Sequence, residues 1–285
     1  MASRQPRQRY EGHTDFVRAV TSARLHGQDV LITGGADAQI LVFVIASGQR
    51  LHVLKGHIKG LQDLAIDPHS LEPESQEFIV FSAGSDREIR RFDISAGTQD
   101  LTHTDPLLAH DTSVYKLFFD NDADLWTASA DRTAKCLARE DGWKANLVLQ
   151  HPDFVRDILV YEQGGWVVTA CRDEEVRVWN RSVCFKHVAG ALCCVRMLTG
   201  GLQTGQLHHT FSGHFEEVTG LVLVGSTVVS VGIDATVRQW SLKPDELQSA
   251  VDKAKKTTAD EEEQKPSESM LTEEEERELA ELMEE

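Results

Sequence analysis

Five groups of polar residues along the chain have the composition of a hydrolase triad. Each group has Ser or Thr four residues before an Asp, a large apolar residue six after that Asp, and a His at least twenty residues upstream. A His, a hydroxyl and a carboxylate held together can activate a nucleophile. The groups are His13/Thr33/Asp37/Phe43, His57/Ser82/Asp86/Phe92, His110/Thr127/Asp131/Leu137, His151/Thr169/Asp173/Trp179 and His214/Ser230/Asp234/Trp240.

The fivefold recurrence argues against catalysis. An acyl-transfer enzyme needs one nucleophile beside one oxyanion site, whereas these groups repeat at matched positions. No single nucleophile with its own base stands out elsewhere in the sequence. The groups are therefore interpreted as structural, and the protein as a non-enzyme.

Each Asp lies at the turn of a predicted β-hairpin. The stretch from Val167 to Asn180 shows the pattern, with alternating apolar residues, a turn around Asp173, and a returning run that ends in Trp179. Apolar residues at every second position predict half-buried strands. Five such hairpins predict an all-β fold.

This pattern resembles the WD40 repeat family. The resemblance is carried by the Gly-His pairs at 12–13, 56–57 and 213–214, by the hairpin Asp, and by the closing dipeptides Phe92-Asp93, Trp179-Asn180 and Trp240-Ser241. In that family each repeat is a four-stranded blade of a β-propeller. The resemblance implies a propeller over residues 1–242, in which neighbouring blades cover each other's apolar faces.

The spacing of the His residues predicts the number of blades. Successive spacings are 44, 53, 41 and 63 residues. The long one holds three strand-like runs, which are predicted to be an outer strand, an inner strand and the next outer strand: Val183–His187, Leu192–Leu198 and Gln206–Phe211. The stretch from Thr199 to Gly205 has no hairpin. We therefore expect six blades, one of them defective or incomplete. Residues 7–11 are expected to pair as the outer strand of the final blade.

The resemblance also assigns the polar groups to hydrogen-bonded sets, His to Asp and Ser or Thr to both His and Trp. Two sets are expected to be complete: His151, Thr169, Asp173 and Trp179, and His214, Ser230, Asp234 and Trp240. The other three lack an indole N–H. Asp173→Ala is accordingly predicted to destabilise the fold more than Asp131→Ala.

A partner-binding face is implied at the channel rim, formed by residues three and five after each His and by the residue before each Asp. Arginines and aromatic residues at such a surface are typical of binding hot spots. The positive charges predict an acidic or phosphorylated peptide as the ligand. The candidate residues are Phe16, Arg18, Gln62, Tyr115, Phe154, Arg156, Arg172 and Glu217.

Composition narrows the classes of function. The net charge is −17, of which −10 lies in residues 243–285, so a nucleic-acid-binding body is not expected. No apolar run is long enough to cross a membrane, and no secretory segment is recognised. The five cysteines form no Cys-x-x-Cys motif and predict reduced thiols. No metal site or cofactor is expected, and the predicted location is the cytoplasm or nucleus.

Residues 243–285 are predicted to form an acidic tail, partly disordered, with two short helices. The first covers 244–256, with Pro at its first turn. The second opens at a capping box, Thr272 to Glu275. Because its apolar stripe is small, this helix is expected either to dock on another protein or to fray. Thr258 and Thr272 are candidate sites for acidic-directed kinases.

The sequence favours a non-catalytic scaffold or adaptor that holds proteins together in a multiprotein complex. One alternative is an incomplete propeller completed by strands of a partner. Another is a substrate receptor of a ubiquitin ligase, suggested by Trp179-Asn180-Arg181-Ser182, in which the Arg comes one place early for the motif of that class.

Overall fold

The computed structural model describes residues 8–72, 75, 77–96, 98–99, 105–181 and 203–253. The chain separates into two compact units, residues 1–240 and 241–285. The first unit contains five β-sheets. In the second unit the structure describes one helix, over residues 244–253. No helix in the described ranges is long and apolar enough to cross a membrane. The predicted tail helix at 272 and both candidate kinase sites lie outside the described residues.

The strands follow the order of the chain, sheet by sheet. The first sheet consists of β1 (Val17–Leu25), β2 (Gln28–Gly35), β3 (Gln39–Val44) and β4 (Arg50–Lys55). The second consists of β5 (Leu61–Ile66), β6 (Ile79–Gly84), β7 (Ile89–Asp93) and β8 (Thr98–Gln99). The third consists of β9 (Val114–Phe119), β10 (Leu125–Ser129), β11 (Thr133–Ala138) and β12 (Lys144–Gln150), with β16 (Gln203–Thr204) added in parallel to β12.

The fourth and fifth sheets complete the first unit. The fourth consists of β13 (Val155–Tyr161), β14 (Trp166–Cys171), β15 (Val176–Asn180) and β17 (Gln206–Phe211). The fifth has three strands, β18 (Val218–Val224), β19 (Thr227–Gly232) and β20 (Val237–Ser241). Two short 3-10 helices, Pro68–Leu71 and Glu162–Gly164, follow β5 and β13.

The hairpin Asp explains why each central turn is tight. The residue after every such Asp has a left-handed backbone, with φ between 58° and 74° at Ala38, Arg87, Arg132, Glu174 and Ala235. That conformation is costly for residues with a Cβ. In four hairpins the Asp carboxylate accepts a hydrogen bond from the backbone N–H two residues on, for example from Gln39 and Thr133. The short polar side chain thus stabilises a turn that the backbone alone disfavours.

The core lies between consecutive sheets. One cluster joins Val30 and Ile32 of the first sheet to Val80 and Phe92 of the second. Another joins Trp126 of the third sheet to the fourth. Innermost strands contact in chain order, β1 with β5, β5 with β9, β9 with β13, and β13 with β18. The predicted all-β architecture with mutually covering sheets is confirmed.

Part of the long spacing before His214 forms the outer strand of the fourth sheet, which the sequence placed elsewhere. The outer strand of the fourth sheet is β17, in which Phe211 lies opposite Val176 and Thr210 opposite Arg177. The prediction that Val183–His187 supplies this strand is wrong, because β17 fills the position. Residues 182–202, which include most of the expected defective blade, lie outside the described residues. The described ranges contain five sheets, and the count of six remains a prediction.

The expected closing strand at residues 7–11 is not formed by its described part. Residues 8–13 carry no strand, and β20 pairs only with β19 among the described residues. The side chain of Tyr10 instead packs on Phe43 of the first sheet, with ring centroids 5.5 Å apart, and its hydroxyl donates to the Ile45 carbonyl at 3.0 Å.

Candidate functional site

The five polar groups form hydrogen-bonded sets inside the sheets. In each, the His Nε2 lies 2.7–2.9 Å from the hydroxyl of its Ser or Thr. In four of them the His Nδ1 lies 2.8–3.0 Å from the hairpin Asp. The set at His214 has every expected bond, since Trp240 also donates to Ser230 at 2.8 Å. These Ser and Thr residues are buried, at 0–6% exposure, which argues against a nucleophilic role.

The first three sets lack the indole N–H that donates to the hydroxyl in the other two. The hydroxyl lies against a backbone carbonyl of the neighbouring strand, at 3.3 Å for Thr33 to Leu41 and 3.2 Å for Thr127 to Lys135. Packing is retained, because Phe43, Phe92 and Leu137 are all buried.

The set at His151 departs from the prediction. Its Nε2 bonds Thr169 and Trp179 donates to the same hydroxyl, but Nδ1 faces the Leu149 carbonyl oxygen at 3.1 Å instead of Asp173. Asp173 accepts two hydrogen bonds from Arg177, at 2.9 and 2.6 Å. The predicted hydrogen bond between His151 and Asp173 is therefore wrong, because the Arg177 guanidinium binds the Asp173 carboxylate instead. Burial, assisted by the charge of Arg177, lowers the pKa of His151 to about 4, so this His is neutral.

The carboxylates of the intact sets stay ionised. Burial acts to raise the pKa of Asp86, but hydrogen bonds from His57 and from backbone N–H groups outweigh it and lower this pKa to about 2. The same balance, with His110 and Thr133 as donors, holds the pKa of Asp131 well below its usual range. Burial raises the pKa of the Cys171 thiol to about 12, which makes it unreactive.

The structure places one trio of possible metal donors together. Ligand atoms of His57, Asp86 and Glu88 lie within 4.8 Å of one another. Each is already committed, since His57 bonds Ser82 and Asp86, and Glu88 pairs with Arg90 at 2.6 Å. The trio therefore does not fit a metal.

The predicted rim residues are brought together repeat by repeat. In all five repeats the residue before the hairpin Asp donates its backbone N–H to the carbonyl of the residue three after the His, at 2.8–3.0 Å. The rim face is defined here as these two positions and the position five after the His. The bonded pairs are Ala36–Phe16, Ser85–Gly60, Ala130–Ser113, Arg172–Phe154 and Ile233–Glu217.

Side chains link the rim face from one repeat to the next. Arg18 donates to Gln62 at 3.0 Å, and Gln62 donates to Ser85 at 2.5 Å. Further on, the Arg156 guanidinium lies 4.3 Å from the Tyr115 ring centroid and pairs with Glu217 at 2.5 Å. The eight predicted rim residues thus hold matched positions in their repeats, and five of them make contacts between repeats, namely Arg18, Gln62, Tyr115, Arg156 and Glu217.

The charges on this face are not equivalent. Arg156 is half-buried and its charge is compensated by Glu217. Arg18 and Arg172 are exposed, Arg18 with a neutral amide partner and Arg172 over the ring of Phe154 at 5.2 Å. An anion at the rim would therefore meet Arg18 and Arg172 first.

Sequence reasoning missed two apolar residues, Ile58 and Phe215, which are 81% and 72% exposed. Their backbone N–H groups donate to the hairpin residues Asp86 and Asp234, and we therefore add both to the rim face. Each directly follows the His of its repeat, a position that could have been read from the sequence. Arg238 lies 5.5 Å from the Phe215 ring and adds a third cation–aromatic contact at the same end of the sheets. Together with the 78% exposed Phe16, they make the rim face apolar as well as basic.

Arg181, on which the ubiquitin-ligase alternative depends, is not a surface residue. Its side chain is 7% exposed and pairs with Asp120 and Asp122 at 2.9 Å and with Glu162. Asp120 also accepts from Trp126 at 2.9 Å. The guanidinium therefore connects the third and fourth repeats and is not free to contact another protein.

Comparisons with known proteins agree with this geometry. Residues 143–180 and 205–241 match the family model described as WD domain, G-beta repeat. The first segment runs from β12, the fourth strand of the third sheet, through β13, β14 and β15 of the fourth sheet. The second runs in the same way from β17 through β18, β19 and β20.

Three curated relatives and one solved structure show how far the similarity extends. An uncharacterized WD repeat-containing protein of Schizosaccharomyces pombe is 30% identical over 236 residues, covering 81% of this chain and 56% of that protein. The nuclear distribution protein nudF of Aspergillus niger is 26% identical, covering 83% and 61%. Pre-mRNA-processing factor 19 of Bos taurus is 28% identical, covering 53% and 28%. The crystal structure of the computationally designed Ika8 protein superposes with a TM-score of 0.58 at 25% identity, covering 81% and 60%.

The chain thus spans little more than half the length of the first two relatives. The similarity extends over five sheets of matching hairpins, and two of the repeats match the family model. The chain contains WD40 repeats and is similar to WD repeat-containing proteins.

Proposed function

We propose that this protein is a non-catalytic scaffold that uses its rim face to hold an acidic or phosphorylated segment of another protein. The observation that carries the proposal is that two exposed arginines and two aromatic rings occur together at matched rim positions. Arg172 lies over Phe154, and Arg18 lies within two residues of Phe16. Buried polar groups elsewhere are committed to the fold, which leaves this face for recognition.

The arrangement supports a bipartite ligand. Arg18 and Arg172 supply the charge-assisted hydrogen bonds that favour carboxylate or phosphate. Phe16, Ile58 and Phe215 supply apolar area for flanking side chains. Because the charge of Arg156 is compensated by Glu217, acidic groups of the bound segment are expected at Arg18 and Arg172 instead.

The relatives support an assembly role within the cytoplasm or nucleus. Their names refer to nuclear distribution and pre-mRNA processing. WD repeat proteins generally bind proteins, and the complex that contains this chain is left to experiment.

The test is an array of phosphorylated, acidic and neutral peptides probed with the purified chain. Binders are then titrated against the double variant Arg18→Glu/Arg172→Glu. We expect at least a tenfold loss of affinity, because two attractive contacts become repulsive. The matched control is Arg24→Glu, an exposed arginine near the opposite end of β1. Equal affinity of the double variant and the wild type would refute the proposal.

A further inference from the structure

Among the described residues, the fifth sheet lacks the fourth strand that the other sheets have. That strand is β4, β8, β12 or β17 in the others, with β16 added to β12, whereas the outward edge of β20 has no described strand partner. Residues 8–12 precede His13 as the outer strands precede their His residues, and Tyr10 contacts Phe43 much as Phe211 stacks on Trp240. Residues 8–12 and the outward edge of β20 thus hold the positions of an outer-strand pair, but they are not paired with each other.

One face of the fifth sheet is an exposed layer of valines. Register places Val222 opposite Val229 and Val231 opposite Gly220, so these side chains share a face. Trp240 bonds Ser230, so its side chain lies on the opposite face. Side chains alternate along a strand, and Val237 is three residues before Trp240, so Val237 lies on the same face as Val222, Val229 and Val231. We call Val222, Val229, Val231 and Val237 the valine face.

The equivalent face of the fourth sheet shows that this exposure is unusual. Leu159, Val168, Ala170 and Val176 hold the same positions relative to their His and Asp, and all are buried, at 0–5%. Val222, Val231 and Val237 are 61%, 40% and 67% exposed, and Val229 is partly exposed. In the fourth sheet this face is covered by the next sheet, through contacts of β13 and β14 with β18.

The first sheet presents the complementary exposed face. Val20, seven residues after His13, is 66% exposed. Its counterparts Leu64, Leu117, Ile158 and Leu221, each packed toward the preceding sheet, are 1–9% exposed. β1 has no contact with β18 comparable to those between the other consecutive inner strands. Among the described residues, a gap therefore separates the fifth sheet from the first.

The polar link between sheets is also missing at this gap. Asp63 accepts a hydrogen bond from the backbone of Leu117 on the next sheet, and Asp157 accepts one from Leu221. The corresponding residue of the fifth sheet is Gly220, which has no side chain to reach across. No charged residue occurs from Val218 to Gly232. The valine face is therefore an uncharged apolar surface, which marks an interaction site.

We propose that the gap between the fifth and first sheets receives a blade-sized β-sheet supplied by another polypeptide. Each equivalent face inside the protein is covered by an aliphatic sheet, and only an inserted sheet has both faces needed to cover the valine face and Val20. Its first strand extends the fifth sheet by adding to the outward edge of β20 through main-chain hydrogen bonds, as β17 extends the fourth sheet, and its other strands cover the valine face. The absence of charge on the valine face makes an acidic ligand unsuitable here, so this surface is distinct from the rim face.

The probe is a tagged polypeptide of residues 205–241, one complete repeat, co-produced with the full chain. We expect a one-to-one complex, slower amide hydrogen exchange in β20, and loss of bis-ANS binding. Val222→Lys/Val237→Lys in the full chain should abolish the complex while leaving the circular dichroism spectrum unchanged. Val53→Lys, at an exposed valine of β4, is the matched control and should leave the complex intact.

A second arrangement guards against failure of the isolated repeat, which cannot bury its own faces. The same 37 residues, 205–241, are inserted in the full chain between Ser241 and Leu242, where they should raise the urea midpoint and protect β20. Three results overturn the proposal: a dimer of the full chain with the valine face protected, a monomer whose β20 amides are already protected without the probe, or no binding and no stabilisation in either arrangement. None of them bears on peptide binding at the rim face.

Discussion

Replacing the hairpin Asp of the third repeat should destabilise the protein more than the same change in the fourth. Asp131 accepts from His110 at 2.8 Å and from the Thr133 hydroxyl and N–H at 2.6 and 3.0 Å. The His110 side chain is completely buried, so Asp131→Ala leaves an orphaned ring N–H, at a cost of about 1–3 kcal/mol, with about 1 kcal/mol more for the turn. The Thr133 hydroxyl, 3.3 Å from the same ring nitrogen, offsets part of this. The expected loss is about 2–3 kcal/mol.

Asp173→Ala should cost about 1 kcal/mol. His151 does not bond Asp173, and Arg177 keeps its contact with Glu175 at 2.5 Å. This order is the reverse of the one predicted from the sequence. A difference of about 2 kcal/mol corresponds to roughly 4–8 °C in Tm for a domain of this size.

The assay is urea and thermal unfolding followed by circular dichroism, with Asp111→Ala as an exposed control close to the same His. The folded pKa of Asp131 is below 3.8, so its contribution is present above about pH 4 and is lost as the pH falls. The gap between wild type and Asp131→Ala should therefore narrow in acid. If Asp173→Ala proves as costly as Asp131→Ala at neutral pH, the reasoning is refuted.

Three further predictions follow from buried groups. Burial raises the pKa of Asp157 to about 6, against the nearby charge of Lys116. The free energy of unfolding should therefore fall by up to ~3 kcal/mol as the pH rises from about 4 to 6. Asp157→Asn should remove this pH dependence, which urea titrations at each pH would measure. An unchanged pH dependence in the variant contradicts the assignment. Arg181→Met should lower the free energy of unfolding by about 3 kcal/mol, because it leaves the buried Asp120 carboxylate without its cation. Asp122 is a half-exposed partner of the same arginine, so Asp122→Asn should cost under about 1 kcal/mol in the same assay. Cys171 should resist iodoacetamide in the native protein at pH 8 and react after unfolding, as mass spectrometry of the peptide would show; rapid native labelling would contradict its burial.

Local pattern was enough to predict the repeating unit. Strand alternation, the hairpin Asp and the His twenty or more residues upstream depend on neighbouring residues, and the five hairpins form where the pattern predicts them. The rim positions could be predicted for the same reason, since each is a fixed step from a His or an Asp. The left-handed residue after each Asp was not predicted, although the Asp that stabilises it was.

Contacts between distant segments were decided only by the tertiary structure. The sequence could not show that Arg177 would take Asp173 from His151, that Glu217 would compensate Arg156, or that Arg181 would be buried against Asp120, because each outcome depends on competition between groups from different strands. It also placed the outer strand of the fourth sheet at 183–187, although Gln206–Phe211 occupies that position. Hydrophobic periodicity determines which residues form strands and which side of each strand is apolar. Only the packing of sheets determines which apolar sides are covered, and this is why the exposed valines at the end of the series are visible in the structure and not in the sequence.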